Sequence, residues 1–292
     1  MTNVFITGAS GQLGKSFLDL QSGFTSLNIR GLPHKQFDIT EEADYHSLDD
    51  QGIDVVINCA AYAKVDEAED DPDKCYSINA TGPAKLARYC YQKKLGFIHF
   101  SSDYVYHNAQ RTPLTEESST EPKGVYAKSK LIGEQQVLTA HSDALIFRVS
   151  WLYAPHGKNF VKTIINLCKH RSEVKVVDDQ LSAPTYAYDL AGAVLTIVAR
   201  QEHMGTQFTL SPGIYNYANE GVVTPYEMAM AIRDHMGLSC KLIPVSLSDY
   251  SNKVTRPEYS VLNLAKFKQN CNIPIPHWRT SLVNCLNKLK TY

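Results

Sequence analysis

Short apolar runs alternate with helical patterns through the first half of the chain. Strands are predicted at residues 4–7, 26–32, 54–61 and 96–102, and apolar positions at helical spacing follow near residues 17–20, 79–90 and 131–138. Alternation of this kind is typical of a parallel sheet covered by helices on both faces. We therefore predict an α/β fold with a doubly wound parallel sheet.

The second half of the chain adds further elements of both kinds. A helix is predicted over residues 189–195 and a strand over 214–218, and both are expected to return to the main sheet. Thr224-Pro225-Tyr226-Glu227 predicts a helix start, with Thr at the cap, Pro in the first turn and Glu at the third position. A further apolar run follows at residues 242–245.

A glycine-rich turn joins the first strand to the first helix. Val4-Phe5-Ile6-Thr7 leads into Gly8-Ala9-Ser10-Gly11-Gln12-Leu13-Gly14, and the helical pattern follows at once. Strand, glycine turn and helix together form the context of a dinucleotide-binding loop, whose backbone N–H groups approach the pyrophosphate. The G-x-x-G-x-x-G spacing resembles that of short-chain dehydrogenases/reductases. We assign cofactor contacts in this loop to Gly8, Ser10, Gly11, Gln12, Leu13 and Gly14.

These elements predict two units of unequal size. Residues 1–152 with about 186–219 are expected to form a Rossmann-type domain that binds NAD(P)H. Residues from about 153 to 185 with 220–292 are expected to form a smaller α/β lobe that binds the substrate. The crossings between the two units are predicted near residues 153–157 and 219–225, where proline and glycine interrupt the pattern.

Residues near the second and third strands bear on the choice of cofactor. An NAD-preferring site usually has an acidic residue at the end of the second strand. Residues 26–37 contain no Asp or Glu, so we expect tolerance of a 2′-phosphate, and hence NADPH with NADH also accepted. The resemblance to this family implies that Asp38 and Ile39 lie near the adenine. The remaining residues assigned to the cofactor are Arg30, His34, Lys35, Asp38, Ile39, Ala60, Ala61, Tyr62 and Ser101.

Tyr126 and Lys130 stand four residues apart at the start of a predicted helix. That spacing places both side chains on one face, one turn apart, and both are also assigned to the cofactor site. A nearby ammonium favours the phenolate, so we expect Lys130 to lower the pKa of Tyr126. Tyr89 and Lys93 have the same spacing without a hydroxyl at a strand end, so we interpret that pair as structural.

A hydroxyl at the end of the fourth predicted strand completes a catalytic group. The strand ends in Ser101-Ser102, and Ser102 can hold a substrate carbonyl while Tyr126 donates a proton to it. Ser102, Tyr126 and Lys130 together are therefore predicted to reduce a ketone.

Several motifs resemble the dTDP-4-dehydrorhamnose reductase family of extended short-chain dehydrogenases/reductases. The likeness covers essentially the whole chain, through the glycine loop, Asn58-Cys59-Ala60-Ala61, Ser101-Ser102-Asp103-Tyr104-Val105, Tyr126-x-x-x-Lys130, Arg148-Val149-Ser150-Trp151, Asp179-Gln180-Leu181-Ser182-Ala183-Pro184-Thr185 and Arg256-Pro257-Glu258-Tyr259. It implies reduction of dTDP-4-dehydro-β-L-rhamnose to dTDP-L-rhamnose for surface polysaccharide. Tyr126 would be the proton donor, Lys130 its partner and a ribose ligand, and Ser102 the group that polarises the ketone.

The same resemblance implies a substrate site and some departures from the family. The residues assigned to the nucleotide sugar are Val65, Ser102, Asp103, Trp151 and Arg256, with Arg256 as the basic candidate for the diphosphate. Ala127 and Ser182 stand where the family commonly has glycine, which bears on pocket shape rather than on reaction type.

Rival functions remain open at this point. A sugar dehydratase would require Asp-Glu after the strand-end hydroxyl, and this chain has Asp103-Tyr104. Another nucleotide-sugar reductase or an epimerase uses the same Tyr, Lys and nicotinamide. A non-catalytic regulatory subunit resembling the methionine adenosyltransferase beta subunit shares several of these motifs.

Composition and charge narrow the partners. A net charge of −1 with 20% charged residues argues against binding to nucleic acid or to a membrane surface. Seven scattered cysteines without a C-x-x-C pair, and Met1-Thr2-Asn3 leading straight into a strand, predict reduced thiols, no signal peptide and a cytoplasmic location.

The resemblance also bears on metal binding and assembly. One branch of the family forms Mg²⁺-bridged dimers through glutamates, and Ser16, Tyr188 and Lys288 stand at those positions here. A hard cation prefers carboxylate ligands. We therefore predict no metal and either a monomer or a weak homodimer of another kind.

Overall fold

The computed structural model describes residues 1–49, 51–200, 208, 210–249 and 253–290. The strands in these ranges are β1 (Thr2–Thr7), β2 (Leu27–Gly31), β3 (Val55–Asn58), β4 (Gly96–Ser102), β5 (Leu145–Val149), β6 (Leu152–Tyr153), β7 (Glu173–Val177), β8 (Leu181–Ser182), β9 (Thr185–Tyr186), β10 (Gly213–Tyr217), β11 (Lys241–Val245) and β12 (Tyr259–Ser260). The α-helices are α1 (Gln12–Asp19), α2 (Glu42–Tyr45), α3 (Pro72–Tyr76), α4 (Gly82–Gln92), α5 (Gly124–Ala140), α6 (Phe160–His170), α7 (Ala187–Ala199), α8 (Pro225–Met236), α9 (Ala265–Cys271) and α10 (Trp278–Lys290). No helix in these ranges has the length and apolar character needed to cross a bilayer.

A six-stranded parallel sheet organises the larger part of the molecule. Its strand order is β10-β5-β4-β3-β1-β2, and every neighbouring pair runs in the same direction. The order reverses between β1 and β3, which have β2 and β4 on their outer sides. In open α/β sheets a ligand binds beyond the carboxyl ends of the strands at such a reversal. The sheet confirms the predicted doubly wound α/β fold.

Helices cover both faces of this sheet. One face packs on α1 and α7, through buried side chains that include Phe17, Leu190 and Val194. The other packs on α4 and α5 and buries Leu86 and Val137 against the strands. Because both faces are buried, the strands read as continuous apolar runs rather than as alternating ones.

A second hydrophobic cluster lies among α6, α8, α10 and the parallel pair β7–β11. Val161, Ile164, Val174, Ile232 and Leu286 are among its buried members. The α8 helix begins as predicted, with a capping box in which Thr224 Oγ1 accepts from Glu227 N at 3.1 Å and Glu227 Oε2 accepts from Thr224 N at 2.9 Å. Two-residue parallel pairs, β6–β9 and β8–β12, complete this part of the chain.

The helix predicted to open at Asn79 begins seven residues earlier. Asp71 caps α3 by accepting from Lys74 N, and Pro72 occupies the first turn, where its missing N–H costs nothing. One π-helical turn over Ser77–Thr81 then joins α3 to α4. Asn79 is therefore inside a continuous helical run, in the kind of local bulge that often occurs at functional sites.

A buried ion pair fixes α5 against the sheet. Glu134 on α5 accepts from Arg148 on β5 through two bonds, Nη2 to Oε2 at 2.7 Å and Nε to Oε1 at 2.9 Å. Their side chains are 1% and 4% exposed. Arg148 Nη1 also donates to Tyr106 OH at 2.8 Å, and Tyr106 OH donates to Asn216 on β10 at 2.8 Å. The network supplies acceptors for the N–H donors of the guanidinium, and a buried charge requires such partners.

Breaking this pair should destabilise the fold strongly. We expect Glu134→Gln to lower the free energy of unfolding by about 3–5 kcal/mol, because a buried guanidinium is left without its carboxylate. Urea unfolding measures the change. The control is Glu258→Gln, which breaks the exposed pair with Arg111 and should cost no more than about 1 kcal/mol. A loss below about 1 kcal/mol in Glu134→Gln would contradict the central place given to this pair.

Candidate active site

The glycine loop approaches the neighbouring strand too closely for side chains. Gly8 has φ +61, and a Cβ there would lie 2.7 Å from Ala60 N at the end of β3. A Cβ at Gly14 would lie 2.6 Å from Gly8 O, so α1 packs directly on the turn that precedes it. The loop therefore presents backbone at the N-terminus of α1, which is the arrangement that receives a pyrophosphate.

A cleft of about 800 Å³ opens from this loop along the carboxyl ends of β1 and β3. Its lining includes Gly8, Ser10, Gly11, His34, Asp38, Ile39, Cys59, Ala60, Ala61, Tyr62, Ala63, Lys64 and Ile78. Small side chains beyond β3 leave room for a flat ligand, and Gly11, the N-cap residue of α1, brings the N-terminus of that helix to the cleft for its phosphates. These residues fit a dinucleotide.

Other residues assigned to the cofactor are placed outside this lining. Leu13 is buried in the core beneath the sheet. Gln12 turns away and accepts from Asn159 Nδ2 at 2.8 Å. Arg30 donates to Gln51 Oε1 at 2.7 Å, and Lys35 is exposed. Among the basic residues near the second strand, His34 is the one in the described lining, 3.6 Å from Asp38.

Asn79 is a site residue that sequence reasoning did not identify. Its Oδ1 accepts from Tyr62 N at 2.9 Å and its Nδ2 donates to Tyr62 O at 3.0 Å, so it fixes the loop that follows β3. The same Nδ2 donates to Ser129 Oγ on α5 at 3.0 Å. Asn79 thus ties the cofactor cleft to the helix that carries Tyr126. Its position inside a helical pattern gave no signal of this long-range contact.

Tyr126 and Ser102 are brought together at the end of β4. Tyr126 is in the first turn of α5, and its phenol lies beside the Ser102 hydroxyl. Ser102 Oγ in turn donates to Asp103 Oδ1 at 3.1 Å and accepts from Tyr104 N at 3.2 Å. A proton donor and a hydroxyl therefore face one position at the strand end, as reduction of a carbonyl requires.

Lys130 is one turn further along α5 and is almost completely buried. Its Nζ donates to Phe100 O on β4 at 2.7 Å, and burial lowers its pKa to about 8. Ser101 Oγ, on the same strand, is buried without a hydrogen-bond partner in the described structure. A buried hydroxyl normally has a hydrogen-bond partner, so Ser101 Oγ is available to bind a ligand.

The predicted shift of the Tyr126 pKa was wrong in direction. Burial raises the pKa of Tyr126 to about 12, against a smaller opposing effect of the Ser102 hydroxyl. The charge of Asp103 raises it further. Desolvation disfavours the phenolate more than the Ser102 hydroxyl favours it. Tyr126 is therefore a firmly protonated phenol, which is the state needed in a proton donor.

Asp103 is a buried carboxyl beside these residues. Besides accepting from Ser102, it lies beside Ser260 of β12, whose Oγ is 3.0 Å from Ser182 Oγ. Burial raises the pKa of Asp103 to about 6. The pair β8–β12 thereby reaches the catalytic strand end.

A second cavity of about 360 Å³ begins at Asp103 and extends into the smaller cluster. Its walls include Asp103, Tyr104, Trp151, Phe160, Thr163, Ile164, Leu167, Val174, Lys175, Val176, Gln180, Ser182, Arg256 and Ser260. Trp151 adopts a left-handed backbone conformation with φ +43, and its ring lies 5.1 Å from that of Phe160. Such strain in a bulky residue persists where the surroundings enforce it, and it is frequent at binding sites.

Arg256 closes the same cavity from the segment before β12. Its Nη2 lies 3.3 Å from Asp66 Oδ2, and its Nε is buried without a partner in the described structure. Asp66 belongs to the loop after β3, so this contact crosses from one wall of the site to the other. Val65, also assigned to the substrate, is half-buried in that loop and outside the described lining of either cavity.

The three positions matched to metal ligands hold other contacts. Lys288 Nζ lies 4.6 Å from the ring centroid of Tyr188, and Ser16 Oγ donates to Gln12 O at 2.9 Å. Throughout the described ranges, no three His, Cys, Asp or Glu side chains cluster as a metal site would. The expected absence of a metal, with the assembly state, stays a prediction.

Comparison with known proteins gives one consistent match. The family model described as the RmlD substrate binding domain matches residues 1–291. A dTDP-4-dehydrorhamnose reductase of Mycobacterium tuberculosis is 38% identical over 96% of this chain and 91% of its own length. The crystal structure of a dTDP-4-dehydrorhamnose reductase from Clostridium acetobutylicum is 32% identical, with TM-score 0.91 over 99% of this chain and 100% of the other. The reductase of Bacillus anthracis, solved in complex with NADP, is 31% identical with TM-score 0.87, and the match covers 99% of each chain.

The glycine loop generates a prediction about dinucleotide binding. Gly14→Ala places a methyl group against Gly8 O, so the loop must shift and binding of NADPH should fall by at least tenfold, about 1.4 kcal/mol. Isothermal titration measures the affinity. Gly192→Ala in α7 is the matched control, because a Cβ there meets nothing closer than 3.9 Å. Unchanged affinity in Gly14→Ala would show that the loop does not hold the cofactor.

Proposed function

The chain belongs to the dTDP-4-dehydrorhamnose reductase family, and on that premise we propose that it reduces dTDP-4-dehydro-β-L-rhamnose to dTDP-L-rhamnose with NADPH. The observation that carries the proposal is the position of the Tyr126 phenol beside the Ser102 hydroxyl at the end of β4. This pair lies where the cofactor cleft along β1 and β3 meets the second cavity at Asp103.

Ser102, Tyr126 and Lys130 have separate roles in the reduction. Reduced nicotinamide supplies the hydride that is added to C4 of the sugar. Ser102 holds the C4 oxygen by hydrogen bonding, and Tyr126 delivers its phenolic proton to that oxygen. Lys130, buried and bonded to Phe100 O, keeps a positive charge beneath the site, which stabilises the phenolate left behind.

The second cavity supports a nucleotide sugar as the substrate. Its apolar walls suit a deoxysugar and a base, with the face of Trp151 beside the sugar. Lys175 and Arg256 add positive charge for a diphosphate, and Arg256 brings an unpartnered buried Nε–H. We assign the substrate lobe to residues from about 153 to 185 and 220–292, and the cofactor domain to residues 1–152 with about 186–219.

The site also weighs against the rival functions. Tyr104 follows Asp103 and points a phenol, not a carboxylate, into the second cavity, so the general base of a dehydratase is missing there. A non-catalytic subunit has no need of a phenol held on a strand-end hydroxyl beside a buried lysine. Reduction with another C4 configuration uses the same groups, and it is therefore the second substrate to assay.

Turnover with defined sugars tests the proposal. Wild-type protein should oxidise NADPH with dTDP-4-dehydro-β-L-rhamnose, followed by the loss of reduced-nicotinamide absorbance, and more slowly with the 4-keto sugar of D-configuration. Tyr126→Phe keeps the ring and removes the proton, so we expect kcat to fall by about 10²–10⁴-fold while NADPH still binds. Tyr89→Phe is the matched control, because Tyr89 donates to Asp49 at 2.7 Å away from the site. Near-normal turnover of Tyr126→Phe would contradict the assignment.

The lining of the cleft predicts how the cofactor is chosen. We expect NADPH to be used at least as well as NADH, and His34→Ala to lower kcat/KM for NADPH more than for NADH, because His34 is the basic residue near the second strand that lines the cleft. His46→Ala is the control, since His46 forms a similar exposed pair with Asp49 outside the cleft. A wild-type preference for NADH above about tenfold, about 1.4 kcal/mol, would refute this reading.

A further inference from the structure

Ketone reduction leaves the proton donor in a state that must be restored. Each turnover takes one proton from Tyr126, and burial, which raises the pKa of that phenol to about 12, makes the phenolate a strong base. The next reduction cannot begin until a proton returns. The structure therefore has to contain a route from an acidic group to this oxygen.

A short series of polar side chains leads from Tyr126 to a carboxyl group. The phenol lies beside the Ser102 hydroxyl, and Ser102 Oγ donates to Asp103 Oδ1 at 3.1 Å. Asp103 is 3% exposed, is bonded by Ser260, and lies in the wall of the sugar cavity. When Asp103 carries a proton, its O–H donates to Ser102 Oγ and the single Ser102 hydrogen turns toward Tyr126. Ser102 can then pass a proton on, because a hydroxyl donates one hydrogen while accepting another.

Two neighbouring acids retain their protons and are poor sources. Tyr104 lies edge to face with Tyr126, with ring centroids 5.8 Å apart, and burial raises the pKa of Tyr104. Cys75 on α3 faces Tyr126 from the opposite side, and burial raises its pKa as well. Neither group gives up a proton readily in the neutral range.

The cationic groups around the site, Arg256 and Lys130, have hydrogen-bond partners other than Tyr126. Arg256 faces Tyr104 and pairs with Asp66, and a guanidinium does not release its proton in a protein. Lys130 is the buried cation one turn after Tyr126 on α5, and the hydrogen bond that the structure gives its Nζ goes to Phe100 O at 2.7 Å. Within the described residues, Asp103 is the carboxyl joined to Tyr126 through a single hydroxyl.

We propose that the Asp103 carboxyl returns the proton to Tyr126 after each turnover, through the Ser102 hydroxyl. The proposal rests on the proposed reductase function. The carboxyl O–H bond breaks as Ser102 Oγ gains that hydrogen, and Ser102 passes its own hydrogen to the phenolate. The Asp103 carboxylate then takes a proton from water in the cavity when the product leaves. One solvent proton is consumed per turnover, with no further oxidant or reductant.

The acidities of the two ends agree with this direction of transfer. Burial raises the pKa of Asp103 to about 6, so part of the population keeps its proton near neutrality. The phenol of Tyr126 holds a proton far more tightly than the carboxyl does, so the transfer runs downhill.

Rapid mixing of the NADPH-bound enzyme with excess dTDP-4-dehydro-β-L-rhamnose separates the first turnover from later ones. Asp103→Asn preserves shape and an accepting oxygen but cannot give up a proton. We expect the first equivalent of NADPH to be oxidised at the wild-type rate and later turnovers to slow by about 10²-fold. Tyrosinate absorbance should persist after the first turnover in this variant. In Asp103→Ala, which leaves space beside Ser102, formate buffer should restore the later turnovers in proportion to its concentration.

Two matched variants separate proton delivery from packing. Asp189→Asn removes another largely buried carboxylate, which accepts from Asn219 at 2.6 Å and from Ser281, and should leave both phases unchanged. Ser281→Ala removes a buried hydroxyl that donates to Asp189, outside the described lining of both cavities, so the later turnovers should remain within a few-fold of wild type. Thermal melting confirms that each variant is folded.

Three outcomes would overturn the role of Asp103. Equal slowing of the first and later turnovers in Asp103→Asn would show that Asp103 holds the sugar or Ser102 instead. Unchanged later turnovers would show that the proton arrives by another route, such as Lys130. Absence of any NADPH oxidation by the wild-type protein would contradict the proposed function itself, and with it this role.

Discussion

The ion pair between Glu134 and Arg148 is the constraint on which the site depends. A helix packed on a sheet by apolar contacts alone can slide or rotate at small cost, but a bidentate pair buried from water has one satisfactory geometry. Lys130 precedes Glu134 by one turn on α5, and Tyr126 precedes Lys130 by another. The pair therefore sets how far the phenol reaches beyond the end of β4, and the bond from Lys130 to Phe100 O confirms that register one turn away.

The network around Arg148 extends this constraint to the rest of the sheet. Tyr106, which follows the catalytic strand end, bonds both the guanidinium and Asn216 on β10. Asn216 Nδ2 then donates to Leu114 O at 2.8 Å, in the loop between β4 and α5. One hydrogen-bond network therefore joins the end of β4, the loop that follows it and α5. This explains why a loop that connects two catalytic elements is ordered around buried side chains rather than left to solvent.

Local patterns predicted the sheet, the glycine turn and the Tyr126–Lys130 pair because each follows from spacing along the chain. The capping box at Thr224 was confirmed for the same reason. Asn79 was misread as a helix start because the polar side chain is used across the fold, not at a helix terminus. The pKa of Tyr126 was predicted in the wrong direction because burial, which no spacing reveals, is the largest cause of the shift and raises the pKa. Contacts between distant segments, such as Arg256 with Asp66, likewise had no local signal.

The side chain of Asn159 gives the glycine turn a second partner. Asn159 caps α6 through its Oδ1, which accepts from Lys162 N at 3.1 Å, while its Nδ2 donates to Gln12 Oε1 at the start of α1. One amide therefore belongs both to the turn that faces the pyrophosphate and to a helix in the wall of the sugar cavity. In protein engineering, the turn therefore cannot be replaced without also affecting α6. Grafting a glycine turn from an unrelated dehydrogenase to change the coenzyme would also remove the acceptor at Gln12. Asn159 would then lose this hydrogen bond, and binding of the sugar beside α6 would be weakened.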